Sequence, residues 1–309
     1  MDAISTTTSR RSPAESGSRR ARRWRSMCGS GLPGRCRRAW ACIACALRRV
    51  PITTPNTAAN RNPGDRSGRM RADSAVVEEW PVWLEVNGEP AVTWMCTPDQ
   101  LEELAVGWLH GEGYIASLDD LVQLRPCAPD LGFWADVKPE RLAQVKGEHR
   151  KRVLASGCGA VATMLADPDA MAHTAPLRGD PPPPETLRAL FKQLFAAGTR
   201  YNETGGIHAA ALTDSATLLF HAEDIGRHNA VDKVIGAAVL ARTPITGRGL
   251  LVTGRISAEL AFKAARAGLA WVATPSVPST LAVTIAERSG MVLVGRAVSG
   301  TPHVHKHSE

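Results

Sequence analysis

From residue 180 onward, strand and helix signals alternate, and this rhythm constrains the fold more than any other feature of the chain. A stiff stretch from Pro181 to Pro184 leads into a helix predicted over Glu185 to Ala197. Strands are expected at Ile207 to Leu212, Leu218 to Ala222, Leu250 to Thr253, Trp271 to Thr274 and Met291 to Val294. Helices are expected at Gly226 to Arg242, Ile256 to Ala267 and Ser279 to Ser289. Short apolar runs bounded by turn residues read as buried strands, and the longer segments between them as helices. Strands joined through helices pair in parallel by right-handed crossovers that lay the helices over the sheet. The expectation is therefore an α/β fold with a largely parallel sheet flanked by helices. Function in such a sheet gathers at the loops leaving the carboxyl ends of its strands.

Residues 71–150 read as a small α+β part ahead of an α/β core spanning 151–309. Val82-Trp83-Leu84-Glu85-Val86 and Ala91-Val92-Thr93-Trp94-Met95 are β-rich, and Asn87-Gly88 between them is a strong hairpin signal. Thr97-Pro98-Asp99-Gln100 predicts a helix start, with Thr97 as N-cap, Pro98 at the first helical position and Gln100 closing a capping box. The stripe Leu101, Leu104, Ala105 and Leu109, with Trp108, is expected to pack on the hairpin. Short strands are expected around Leu121 to Leu124 and Gly132 to Val137.

Residues 1–70 differ in kind. They are rich in Arg, Ser, Pro, Gly and Thr without an apolar period, a composition that does not repay the entropy of ordering, so a disordered basic extension is expected. Up to Arg71 lie 16 of the 37 basic residues but only three of the 30 acidic ones, so the net charge of +7 belongs to this extension and the body is mildly acidic. That distribution argues against a nucleic-acid-binding body. No run of 18 uncharged apolar residues occurs, which excludes a transmembrane helix. Cys42 and Cys45 have no second pair to complete a zinc site. Translation starting at Met70, just before the periodic sequence, is a further expectation, which the intact mass of native protein tests.

Four clusters carry candidate chemistry. In Ala155-Ser156-Gly157-Cys158-Gly159-Ala160, flanking glycines leave the sulfur accessible and turn amides can stabilise a thiolate. Those residues suit a nucleophile and equally a structural cysteine beside a tight turn. Thr204-Gly205-Gly206-Ile207-His208 lets a phosphate approach the backbone closely, while His208 reads as a core histidine. In Glu223-Asp224-Ile225-Gly226-Arg227-His228-Asn229-Ala230-Val231-Asp232-Lys233, Asp224 as N-cap would orient His228, and Asp232 would extend the same helix face. The junctions Thr253 to Ser257 and Ser276 to Thr280 present amides and hydroxyls at helix starts, which is also what ordinary capping looks like. His303, His305 and His307 alternate like metal ligands but at an end expected to fray. No phosphate-binding GxxxxGK[ST] loop occurs.

The run EDIGRHNAVDK at 223–233, with TGGIHAAAL at 204–212, TGRIS and AFKAARAG within 253–268 and PSTLAV at 278–283, resembles the FdhD family, the formate dehydrogenase accessory sulfurtransferases. The resemblance covers about residues 75–305. It implies a cytoplasmic homodimer with a cytidine-deaminase-like layered fold lacking zinc. It also implies a function as sulfur carrier. A cysteine desulfurase supplies the sulfur, a persulfide forms on Cys158, and the acceptor is molybdenum bis(molybdopterin guanine dinucleotide), sulfurated before insertion into formate dehydrogenase. The family's cofactor-binding segment falls on Arg296, Ala297, Val298, Ser299, Gly300 and Thr301. Two departures stand out. The family's C-G-x-C is here Cys158-Gly159-Ala160-Val161, so no two-cysteine relay exists at this loop, and Cys96 and Cys127 are poor substitutes. The later basic positions of the 296–301 segment are replaced, so weaker phosphate contacts are expected. Loss of the second cysteine frames an alternative, a protein that binds a molybdopterin dinucleotide or similar ligand without sulfurating it.

Overall fold

The computed structural model describes residues 76–127, 131–147, 152–154, 161–163, 177 and 179–306. β1 (Trp80–Val86) and β2 (Glu89–Cys96) form the expected antiparallel hairpin. Asn87 and Gly88 both have positive φ, 50° and 81°, the pair of angles that a tight two-residue turn matching strand twist requires. β3 (Leu121–Cys127) and β4 (Gly132–Val137) complete a four-stranded sheet of order β2-β1-β4-β3.

Helix α1 (Leu101–Gly111) starts later than expected, with Gln100 in the left-handed region as N-cap and no side-chain cap. The capping box does not form because its residues are taken by distant partners. The Thr97 hydroxyl accepts from the Ile225 amide at 3.1 Å, and the Gln100 amide group donates to the His221 carbonyl at 3.3 Å. The main partner of α1 is also not the hairpin, which it meets edge-on through Trp108 and Trp94. It packs most extensively on α5 (Arg227–Leu240). Glycine permits that approach: a Cβ at Gly107 would lie 1.7 Å from the Asp232 carbonyl oxygen, and one at Gly236 would lie 1.8 Å from that of Glu103.

The second sheet has six strands in the order β12-β11-β10-β9-β7-β8. These are β7 (His208–Thr213), β8 (Leu218–Asp224), β9 (Gly249–Val252), β10 (Trp271–Ala273), β11 (Val292–Gly295) and β12 (His303–His305). The expectation of a largely parallel sheet is corrected. Only β9, β10 and β11 run parallel, and the pairings of β7 with β8, β7 with β9 and β11 with β12 are antiparallel. The reason is local: four residues join β7 to β8, too few for a helical crossover. His303 and His305, expected at a fraying end, are instead tied into the sheet as β12.

Helix α3 (Pro184–Ala197) lays Leu187, Leu190, Phe191 and Leu194 on one face of this sheet, against Ala209, Ala211, Leu251, Trp271, Ala273 and Val294. The alternate positions Ala210, Leu212, Leu250, Val272 and Leu293 are also fully buried, so both faces are covered. The other α-helices among the described residues are α2 (Pro139–Gly147), α4 (Thr199–Thr204), α6 (Ala258–Arg266) and α7 (Thr280–Ser289); α2 and α4 were not anticipated. A short ladder, β5 (Arg152–Leu154) with β6 (Val161–Thr163), was not anticipated either. The described residues up to Arg125 and from Phe133 onward form one compact unit; of the other unit only Pro126, Cys127, Leu131 and Gly132 are described.

Candidate functional site

Because β9, β10 and β11 are parallel, their carboxyl ends share one edge of the sheet, and the antiparallel β7 begins at that edge beside the end of β8. His208 pairs with Asp224 there. The candidate segments at 204–208, 223–228, 253–257, 276–280 and 296–297 therefore converge on one edge, and hydrogen bonds join them. The Thr253 hydroxyl accepts from Ala209 N at 2.9 Å. The Thr274 hydroxyl donates to the Gly254 carbonyl at 2.7 Å. Ser279 N donates to Ile256 O at 2.9 Å, and Arg296 N to Ser276 O at 2.8 Å. A cleft of about 540 Å³ opens at this edge, lined by Phe195, Tyr201, Gly205, Gly206, His208, Thr253 and Pro275. That volume lies within the range of small-molecule sites. A hollow of about 230 Å³ lies at the start of α7, where Ser279 and Thr280 face His303 and His305.

Asp224 is the hub of the edge. Fully buried at the end of β8, its carboxylate takes four donors: Gly226 N at 2.8 Å, Asn229 Nδ2 at 2.9 Å, Thr97 N at 3.1 Å and Lys233 Nζ at 2.7 Å. Lys233, equally buried, also donates to Asp99 Oδ1 at 2.8 Å and to the carbonyls of Thr97 and Glu223. Two buried charges are tolerable only when every donor and acceptor is matched in this way. Asp224 is thus not the N-cap of α5, a place taken by Gly226, and it does not orient His228.

His228 instead faces α6. Its Nε2 lies 3.0 Å from the Ser257 hydroxyl and 3.5 Å from Glu259 Oε2. One turn further along both helices, Lys263 donates to Asp232 at 2.7 Å. The i, i+4 spacing thus makes two rungs between α5 and α6. Burial, then Lys263, Arg227 and His208, push His228 down to about 3, so its imidazole is neutral at physiological pH. Burial lifts the Asp232 carboxyl to about 6 against the pull of Lys263. Burial also lowers Lys263, but Asp232, Glu112 and Glu259 outweigh it and hold the ammonium above its ordinary range. Ser257 makes no side-chain cap to α6, since its hydroxyl is engaged by His228. His208 is lowered as well, by burial and by Arg227.

Cys158 lies outside the described residues. In the 296–301 segment, Arg296 is exposed with φ 52°, while Ala297 is fully buried and Val298 packs on the core. Ser299, Gly300 and Thr301 are exposed, and the Gly300 carbonyl accepts from Arg188 Nη2 at 3.0 Å. Cys96 and Cys127 are buried. Reasoning from sequence missed Thr97, Asp99, Arg200, Glu259 and Lys263. The one signal was the adjacent Asp232 and Lys233 in the otherwise apolar part of α5 after Asn229, a sign that buried charge needs partners elsewhere.

The family model described as FdhD/NarQ family matches residues 77–309. A sulfur carrier protein FdhD of Bacillus licheniformis is 32% identical over 79% of this chain and 93% of its own length. Its namesake in Bacillus subtilis is 34% identical over 77% and 91%. The crystal structure of a putative formate dehydrogenase accessory protein from Desulfotalea psychrophila superposes with a TM-score of 0.59 at 25% identity, covering 75% of this chain and 88% of that one. With three quarters of its length matched by the family model and its fold shared with that structure, this chain belongs to the FdhD/NarQ family.

Proposed function

We propose that this chain is a sulfur carrier that matures formate dehydrogenase, with Cys158 as the carrying residue. The observation that carries the reading is the match, over 93% and 91% of their length, to relatives named sulfur carrier proteins. The Cys158 thiolate attacks the outer sulfur of a persulfide on a cysteine desulfurase; a new S–S bond forms on Cys158 and the donor thiolate leaves. Delivery as sulfide to molybdenum bis(molybdopterin guanine dinucleotide) breaks that bond and consumes two electrons, drawn from the metal centre or from a thiol co-reactant. Cys158 returns as thiolate. Val161 restricts the loop to one sulfur-bearing residue, and the burial of Cys96 and Cys127 favours no substitute.

The cofactor is the substrate in this reading. The edge segments 204–208 and 253–257 supply the cleft, and the exposed members of 296–301, Arg296, Ser299, Gly300 and Thr301, supply its cofactor contacts. The cleft takes one nucleotide-sized part of the cofactor: Gly205 and Gly206 allow close approach of a phosphate, and the Tyr201 ring offers a face for a planar base. The protein acts in the cytoplasm as a homodimer on a scaffold of the cytidine-deaminase kind. No described helix is long and apolar enough to cross a membrane.

Incubation with a cysteine desulfurase and cysteine is expected to add one sulfur to the peptide bearing Cys158, read by mass spectrometry. Absence of labelling, or equal labelling of Cys158→Ala, would refute the carrier role. Complementation of formate dehydrogenase activity then tests delivery.

A further inference from the structure

Helix α4 (Thr199–Thr204) forms the outer wall of the cleft, carrying Tyr201 and leading into Gly205 and Gly206. It buries none of its residues, and six residues are too few to hold a helix by themselves. Polar anchors therefore hold it in place. The first is Glu223, 22 positions away at the end of β8. Its carboxylate accepts from Arg200 N at 3.0 Å and from Tyr201 N at 2.9 Å, capping the first turn of α4 from outside. The second is Arg200, which pairs with Asp99 at 3.0 Å and reaches Glu78 at 3.8 Å. The Tyr201 ring packs on Phe195, at 5.9 Å between centroids. A glycine stands at each end: Gly198 before the helix and Gly205, with φ 64°, after it. Gly198 is required by the anchor, because a Cβ there would lie 2.7 Å from Glu223 Oε1.

We propose that α4 is a strap across the cleft, that Glu223 is the latch holding it closed, and that release of this latch governs how a ligand enters and leaves. Glu223 is a positioning residue, acting on the ligand through Tyr201 and the Gly205-Gly206 turn. The ligand named here, a guanine nucleotide portion, rests on the reading of the cleft given under the proposed function. The latch itself does not rest on it.

Two variants of the full chain test the latch from opposite sides. Glu223→Gln keeps the shape but sets an NH2 against one of the two amides. Gly198→Ala leaves the carboxylate in place and displaces it sterically. Hydrogen exchange over residues 199–206 is expected to quicken roughly 5- to 30-fold in both, the range for losing a helix cap, with β7, β8 and β9 unchanged. Calorimetric titration with guanosine diphosphate as probe is expected to show weaker binding and faster release in both variants. Unchanged exchange over 199–206, or acceleration spread evenly through β7 to β9, would overturn the latch. Faster exchange with identical binding of the probe would overturn the strap as a wall of the ligand site. If the wild-type chain fails to bind guanosine diphosphate, the nucleotide reading of the cleft is refuted, and the exchange data alone decide the latch.

Discussion

Asp224→Asn tests how the sheet edge is held, because the change is isosteric and every partner of Asp224 is a donor. One carboxylate oxygen faces Gly226 N and Asn229 Nδ2; the other faces Thr97 N and Lys233 Nζ. Whichever way Asn turns, its NH2 confronts two donors and takes the Asp224 acceptor away from a backbone amide, Gly226 N or Thr97 N. Each unsatisfied buried donor costs about 1–3 kcal/mol. Lys233, fully buried, keeps Asp99 and two carbonyls but loses its buried counter-charge. Removing one member of a buried pair costs about 3–5 kcal/mol, and that is the expected loss of unfolding free energy. Urea unfolding followed by tryptophan fluorescence measures it, with the midpoint shifting at unchanged slope. Lys233→Met should cost a similar amount. The double variant should cost less than the sum by about 2 kcal/mol or more, because it leaves no orphaned charge. A loss below about 1 kcal/mol for Asp224→Asn, or additive single variants, would refute the hub.

Two further outcomes follow from the buried titrating groups. His228 is held down to about 3 and His110 to about 4, each chiefly by burial, against 6.5 unperturbed, so between those values the unfolded chain binds more protons and stability falls on acidification. Asp232, raised to about 6, opposes this because the folded chain then binds the extra proton. His208, also lowered by burial, adds to the loss, and Glu259, raised by burial, opposes it; a net loss of stability is expected from pH 6.5 to pH 5, and a smaller one in His228→Gln. Urea midpoints at the two pH values check it, and a slope unchanged in the variant would refute it. Separately, burial lifts the Cys96 thiol to about 12, with Asp224 adding to the shift. Iodoacetamide at pH 8 should spare Cys96 and the buried Cys127 in native protein and label both in urea. Peptide mapping that finds Cys96 labelled in native protein would contradict this.

Periodicity and turn chemistry settled what depends on neighbours in sequence. The Asn87-Gly88 hairpin, the helices α3, α5, α6 and α7 and the strands feeding one sheet edge were legible because each signal acts within a few residues. The order and direction of strands were not: β7 and β8 read as ordinary members of an alternating series, and only their four-residue connection and the docking of β7 beside β9 make β7 antiparallel to both neighbours. The local rule failed at Thr97 and Gln100, whose sequence spells a capping box. A backbone amide at Ile225 and a carbonyl at His221, more than a hundred residues away, bind those side chains instead. Asp224 and His228 were read as a capping carboxylate that orients an imidazole on one helix face, yet each has its partners elsewhere. Spacing along a helix shows which residues share a face, whereas the donors and acceptors opposite that face come from other elements. Here they are Lys233 and the Thr97 amide for Asp224, and Ser257 and Glu259 for His228. Sequence alone identified the residues whose burial needs a partner; the tertiary fold chose the partners, because desolvated charge is satisfied by whatever long-range packing brings within hydrogen-bond reach.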